Sequence, residues 1–330
     1  MHDLIRKLAE CFGPSGYESG VRELVRAEIP KGIETRVDAM GSLIAHRKGT
    51  GGGRRLMLAA HMDEIGVVVT HVDQRGFLRF GNVGGVRLLP LMGGRVRFAN
   101  GTIGVIGLEK VEDASRIPPM EKFYIDVGAR GPGDCPVKVG DVACFQRTCE
   151  IAGTRIVAKA MDDRIGCAVL LQLLKELEKS PHDLFFVFTV QEEVGLRGAT
   201  TSGYGVEPEI AVAVDVTLTG DTPECAPMAV ELGAGPAIKI KDGGMVAHVG
   251  VKDWLIRAAE AAALPFQREV LTAGTTDACA VQTTRGGVPA GCVSIPARYV
   301  HMPSEMVDYG DVLGAVKLLK SALTGPIDIG

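Results

Sequence analysis

The sequence predicts an α/β protein in which a three-layer α/β/α sandwich is interrupted by a small all-β, barrel-like insertion. Three observations predict it. Continuous apolar runs such as Leu56–Ala60, Leu184–Val190 and Ile210–Val214 read as strands buried on both faces, as in sheets covered by helices. Segments of helical periodicity alternate with these runs in the first and last parts of the chain. Between about Val67 and Cys149 the alternation stops. The segments VVVTHV, GFLRF, GGRVRF, GTIGVIGL, KFYIDVG and GDVACF follow one another there, broken by Gly, Asn or Asp about every eight to twelve residues. The sandwich is therefore expected from residues 1–66 and 155–330, and the inserted β domain from 67–154.

In chain order, residues 3–12 place Leu4, Ile5, Leu8 and Phe12 on one helical face. A Gly13-Pro14-Ser15-Gly16 break precedes a second helix with Val21, Leu24, Val25 and Ile29 inward. Short strands Glu34–Val37 and Ser42–His46 and a glycine-rich turn at Gly49–Gly53 come next. Leu56–Ala60 then delivers HMDEIG at His61–Gly66. Beyond the insertion, Asp162-Asp163 are expected to open a helix carrying Ile165, Ala168, Val169, Leu171, Leu173 and Leu174, where acids suit the positive helix end. Leu184–Val190 runs into Glu192-Glu193 and Gly195, and Ile210–Val214 runs into Asp215. Strands Ala237–Ile240, Gln267–Leu271 and Ala290–Ile295 follow, with helices at Val251–Ala262, Asp277–Thr284 and Tyr309–Leu323. The strand Ala290–Ile295 leads to Arg298-Tyr299-Val300-His301.

Composition narrows the function. A net charge of -4 argues against a nucleic-acid partner. A single Trp among few aromatics leaves little with which to stack sugars or bases. The longest apolar runs fall short of the roughly 18 residues of a membrane span, so no membrane partner is expected. The opening MHDLIRKLAECFG mixes acids among its apolar residues and does not read as a signal peptide. Eight cysteines without a C-x-x-C pair read as reduced thiols of a cytoplasmic protein.

The polar residues at the ends of the apolar runs carry the chemistry. His61, Asp63, Asp162, Glu192, Glu193, Asp215 and His301 each lie at or just beyond the exit of a buried segment. In open α/β sheets ligands bind beyond the carboxyl ends of the strands, so these residues can converge on one rim. Two histidines with several carboxylates and no cysteine form a ligand set suited to Zn, Co or Mn. They are too many for one catalytic metal and suit a pair of ions about 3.5–4 Å apart, with one acid left as base for a water. Adjacent residues of an extended strand point in opposite directions, so Glu192 and Glu193 serve different targets only if the strand ends there; Gly195 permits that turn. Taken singly, each position has a plainer reading: a core histidine, a solvated acid pair, a helix N-terminus. Their joint placement favours a site. Thr275, Thr276 and Asp277 either border its pocket or cap a helix. Arg298-Tyr299 read as support for the His301 loop, and His2, His46, His71, His182 and His248 as structural or surface residues.

HMDEIG, AMDDRIG, QEEVGLRGA, VDVT and RYVHMPSE resemble the five signature segments of the tetrahedral (TET) aminopeptidases, a family that includes glutamyl aminopeptidases and proteins once labelled cellulase M. FGPSGYE near the start and GTTDA at 274–278 extend the match over essentially the whole chain; Gly93-Gly94 departs from a Gly-Gln pair common in the family. The resemblance implies a metal-dependent aminopeptidase that removes N-terminal residues from short peptides with a di-metal-activated water. It implies two divalent ions per subunit, bridged by Asp162. His61 and Asp215 complete one position, Glu193 and His301 the other. Glu192 is then general base and later acid, and Asp63 orients the His61 imidazole. It also implies a homo-oligomer, dimers through the β domain and onward to a tetrahedral dodecamer. Two alternatives stand beside it. A metal-independent glycoside hydrolase needs two carboxylates about 5–9.5 Å apart, and the scarce aromatics weigh against it. A related di-metal deacylase or carboxypeptidase would use the same ligands. No basic cluster stands near the motifs, which leans the preference toward neutral, leucine-like N-terminal residues.

Overall fold

A computed structural model describes residues 1–111, 113 and 115–330. Its larger body is an 11-stranded mixed sheet with helices on both faces. At the centre lie four parallel strands in the order Asp183–Thr189, Arg55–His61, Ile210–Thr217 and Ala290–Arg298. Side chains of a strand alternate between faces, and here the two faces differ in size. Leu56, Leu58, Leu184, Phe186, Phe188, Val212, Val214, Val293 and Ile295 pack into one core. Helices His2–Glu10, Met161–Glu176, Val249–Ala261 and Tyr309–Thr324 cover it. Met57, Ala59, Val187, Ala211, Ala213 and Cys292 form the other, thinner core. Two short helices, Arg197–Val206 and Asp277–Gln282, cover that side.

The helix Arg197–Val206 is not expected from the sequence, because Gly198, Gly203 and Gly205 lower its intrinsic helicity. Tertiary packing supplies the reason for at least one of these glycines. A Cβ at Gly198 would lie 2.4 Å from the Val190 carbonyl oxygen, so the helix can sit this close to the sheet only without a side chain there. The strand Glu305–Asp308 is likewise unforeseen. It pairs antiparallel with both Ala290–Arg298 and Arg155–Ala158, which brings the segment around His301 beside the segment around Asp162.

The second body is a closed antiparallel barrel of Gly66–Val72, Leu78–Val83, Phe123–Asp126, Ile103–Leu108, Arg95–Phe98 and Val142–Phe145. Val67, Val69, Phe80, Val96, Phe98, Ile125 and Phe145 fill it. A three-layer α/β/α sandwich carrying a closed barrel is the fold class expected from the sequence. No helix among the described residues is long and apolar enough to cross a membrane. The eight cysteines are all free thiols.

Candidate metal centre

Parallel pairing brings the expected residues to one rim. His61 ends Arg55–His61, Glu192 and Glu193 follow Asp183–Thr189, Asp215 lies near the end of Ile210–Thr217, and His301 follows Ala290–Arg298. Asp162 arrives from Arg155–Ala158. That strand also runs parallel to Ala290–Arg298, since both are antiparallel to Glu305–Asp308.

Two groups of potential ligand atoms form there, each with all atoms within 4.8 Å of one another: His61, Asp162 and Asp215, and Asp162, Glu193 and His301. Asp162 belongs to both. Its Oδ1 stands 2.9 Å from His61 Nε2 and its Oδ2 3.4 Å from His301 Nε2. Asp215 Oδ1 lies 3.9 Å from His61 Nε2, and Glu193 Oε2 lies 3.2 Å from His301 Nε2. Glu192 belongs to neither group; its Oε2 approaches His61 Nε2 at 3.8 Å.

The local backbone differs from expectation at the acid pair. Asp162 and Asp163 do not form the first turn of their helix: both have non-helical dihedrals, Ala160 before them is left-handed, and the Asp162–Asp163 peptide is cis. The physical reason is that their groups are committed elsewhere. The Asp162 N–H donates to Glu305 Oε2 at 2.9 Å. Asp163 caps the helix by accepting the Gly166 N–H at 3.0 Å, and its other oxygen accepts the His61 N–H at 3.2 Å. Asp163 is thus a buried cap, and Asp162 is left to face the histidines.

Asp63 lies beneath the turn that carries the two glutamates. Its carboxylate accepts the backbone N–H of Glu192 at 3.0 Å and of Glu193 at 3.1 Å, and the Ser15 hydroxyl at 2.6 Å. His61 Nδ1 stands 3.2 Å from the Asp63 carbonyl oxygen and 3.5 Å from its carboxylate. The residue therefore touches the imidazole mainly through its main chain and fixes the Glu192–Glu193 turn with its side chain. Glu18 adds to the same turn by accepting the Gln191 N–H at 3.1 Å. FGPSGYE is thereby a brace for the site, through Ser15 and Glu18.

Glu305 is the last residue of RYVHMPSE. It is fully buried, and its two oxygens accept the N–H of Asp162 and the N–H of His301, each at 2.9 Å. One side chain thus holds the backbones of two prospective ligands. Asp277 accepts the Thr189 hydroxyl at 2.5 Å, while its Oδ1 and the hydroxyls of Thr275 and Thr276 are buried without partners. Thr275 lines the site's cavity, and Asp277 opens the helix Asp277–Gln282.

The electrostatics are those of a negative cluster short of positive charge. Burial first, then Asp215 and Glu193, hold Glu192 well above the usual carboxylate range against the pull of His61. Burial and Asp162 likewise push Asp215 and Glu305 well up. For the histidines burial alone would lower the pKa. Glu192, Asp162 and Asp63 instead hold His61 well above its ordinary value, and Asp162 and Glu193 push His301 up to about 11. Asp162 resists burial and stays low because both histidines face it. Glu193 Oε1 is buried with no hydrogen-bond partner. Lys239, the buried amine at the cavity wall, is committed to Glu269. Oxygen and imidazole donors in this surplus fit a divalent cation.

A cavity of about 450 Å³ opens over the cluster, lined by Asp162, Glu192, Glu193, Asp215 and His301 together with Leu271. A second, of about 290 Å³, shares Arg87, Leu218, Leu271 and Val300 with it and is mostly apolar. His61 and Asp63 stand behind, fully buried.

Fold and site together define an α/β protein with a candidate metal centre at the carboxyl ends of its parallel strands. A family model described as M42 glutamyl aminopeptidase matches residues 41–318. A protein of Acetivibrio thermocellus is 47% identical over 98% of both chains. The solved structure of an aminopeptidase from Desulfurococcus kamchatkensis is 41% identical, with a TM-score of 0.94 over 98% of this chain and 94% of that one. The TET1 peptidase of Pyrococcus horikoshii, which can assemble into a tetrahedron or a large octahedral shell, is 31% identical, with a TM-score of 0.87 over 97% and 98%. The chain belongs to the M42 glutamyl aminopeptidase family. It is an aminopeptidase, a hydrolase of peptide bonds.

Proposed function

We propose that this aminopeptidase holds two divalent ions per subunit, Zn, Co or Mn, and removes N-terminal residues from short peptides. Asp162 carries the reading: each of its carboxylate oxygens faces a different histidine-containing group, as a bridging ligand requires. His61 and Asp215 would complete one position, Glu193 and His301 the other. When bound, the ions supply Lewis acidity, polarising the scissile carbonyl and lowering the pKa of a water.

Glu192 stands at the cavity wall and belongs to neither ligand group. It takes a proton from the attacking water as the water oxygen bonds to the carbonyl carbon. It then returns that proton to the amine nitrogen as the C–N bond breaks. A carboxyl held above its usual range by burial keeps the proton it has taken until the amine leaves. Asp63 positions the two glutamates through their backbone N–H groups. The cavity beside the centre is mostly apolar, which suits a neutral side chain, with Arg87 in the wall it shares with the metal-centre cavity. The β barrel is the assembly domain of a homo-oligomer, dimers and then a tetrahedral dodecamer, a reading supported by the assembly of the similar P. horikoshii peptidase. Eight free thiols suit the cytoplasm.

The test is chelation. Exhaustive EDTA should abolish release of N-terminal residues from free-amine peptides, and Zn, Co or Mn should restore it. Activity that survives chelation would contradict the reading, and on a cellulosic substrate it would support a glycoside hydrolase. Cleavage of N-blocked peptides would support a deacylase or carboxypeptidase. Light scattering that gives a monomer would remove the assembly.

A further inference from the structure

The barrel reaches the metal centre through one loop. After Leu78–Val83 the chain reads Gly84-Gly85-Val86-Arg87, and this segment lies against Glu193 and His301. Gly84 has φ +77, and a Cβ there would stand 3.1 Å from both Cβ and Oε2 of Glu193. Gly85 is tighter. A Cβ there would lie 2.5 Å from His301 Nδ1 and 2.8 Å from Cε1, distances no real side chain adopts without displacing the ring. The Arg87 N–H also donates to the His301 carbonyl oxygen at 3.4 Å. None of these contacts involves His61 or Asp215.

The two histidines are thus oriented by different means. A metal-ligating imidazole usually gives its second ring nitrogen to a hydrogen-bond partner that fixes its orientation. His61 has such a partner, with the Asp63 carbonyl 3.2 Å from its Nδ1. His301 Nδ1 has none among the described residues and faces the Gly85 backbone instead. Its ring is about a third exposed, and its own backbone is left-handed at φ 63. Contact with the loop stands in for the missing hydrogen bond.

We propose that Gly84-Gly85 is a positioning element for the Glu193–His301 half of the centre, so that the seating of the barrel on the sandwich sets the affinity of one metal position. The proposal rests on the two-ion reading above. Its test is calorimetric titration of Co²⁺ into metal-stripped, full-length protein. Wild type should show two binding events. Gly85→Ala should weaken one of them roughly 10- to 100-fold, the usual cost of disturbing an outer partner of a ligand, and leave the other unchanged. Gly81→Ala, on the barrel strand that leads into this loop, would make only ordinary van der Waals contact (nearest atom 3.7 Å) and should titrate as wild type. An isotherm for Gly85→Ala that superimposes on wild type overturns the proposal. If Gly85→Ala does not fold, adding His301→Ala, which removes the ring the methyl meets, should restore folding; failure of that rescue overturns it equally. A wild type that takes one ion defeats the two-ion reading, and the proposal then stands only if Gly85→Ala weakens that event and falls if it does not.

Discussion

Two clusters of buried charge arise from neighbouring residues of HMDEIG and AMDDRIG, and they are balanced in opposite ways. Glu64 accepts two hydrogen bonds from Lys159 Nζ, at 2.8 and 2.7 Å, one from Arg164 Nη2 at 3.2 Å, and the Gly13 N–H at 3.1 Å, while Lys159 Nζ also donates to the Cys11 carbonyl at 3.1 Å. Arg164 spends its remaining donors on the carbonyls of Met62, Leu8, Cys11 and Gly13. Every charge there has a partner inside the protein. A few residues away, Asp162, Glu192, Glu193 and Asp215 are set against two histidines, His61 and His301; Lys239 at the cavity wall is already held by Glu269, and a buried oxygen of Glu193 is left over. A buried charge is tolerated when paired and costly otherwise. The closed cluster therefore reads as architecture, fastening the N-terminal segment to the sheet, and the open one as a receptor for a cation from outside.

The comparison can be broken or sharpened by experiment. The largest effect is expected within the open cluster. Glu192→Gln should lower kcat by about 10²–10⁴-fold, the usual worth of a general acid–base, while metal content and melting temperature stay at wild type. Near-normal turnover would remove Glu192 from the chemistry.

In the closed cluster the loss should fall on stability. Glu64→Gln leaves Lys159 and Arg164 buried without their carboxylate and should cost about 3–5 kcal/mol in denaturant unfolding. Metal affinity of the folded variant should be unchanged. A variant of full stability that has lost its metal would reverse the two roles.

The smallest effect is a slope. In metal-stripped protein, the raised pKa values of Glu192, Asp215 and Glu305 and of His301, at about 11, mean that the folded centre binds more protons than the unfolded chain. That excess runs from the upper carboxylate range into alkaline pH, so stability should fall as pH rises through it. Asp63 and Asp162, held low, contribute in the opposite sense only at acid pH. The melting temperature of stripped protein should decline between about pH 6 and about pH 9, and saturating Zn²⁺ should flatten the decline. A level profile without metal would mean that the open cluster is balanced after all.

Much of this was legible in the sequence, and the reason is geometric. His61, Glu193 and Asp215 stand at the ends of long apolar runs, where strand direction alone predicts a shared rim. The parts of Glu305, Ser15 and Gly85 cannot be read along the chain because they depend on which segments become neighbours. Glu305 matters through the strand Glu305–Asp308, whose four residues carry too little pattern to be seen. Gly85 matters because a barrel loop folds back onto His301, a contact between segments more than 200 residues apart. The acid pair Asp162-Asp163 misled in another way. Its composition suits a helix end, and Asp163 does cap one, but the pull of Glu305 on the Asp162 N–H keeps both residues out of the helix.

The central claim is that the open cluster is completed by two cations sharing Asp162. Crystals grown with Co²⁺ and measured at its absorption edge test it most directly. The account predicts two anomalous peaks about 3.5–4 Å apart, one among His61, Asp162 and Asp215 and the other among Asp162, Glu193 and His301. A single peak, or peaks away from Asp162, would contradict it.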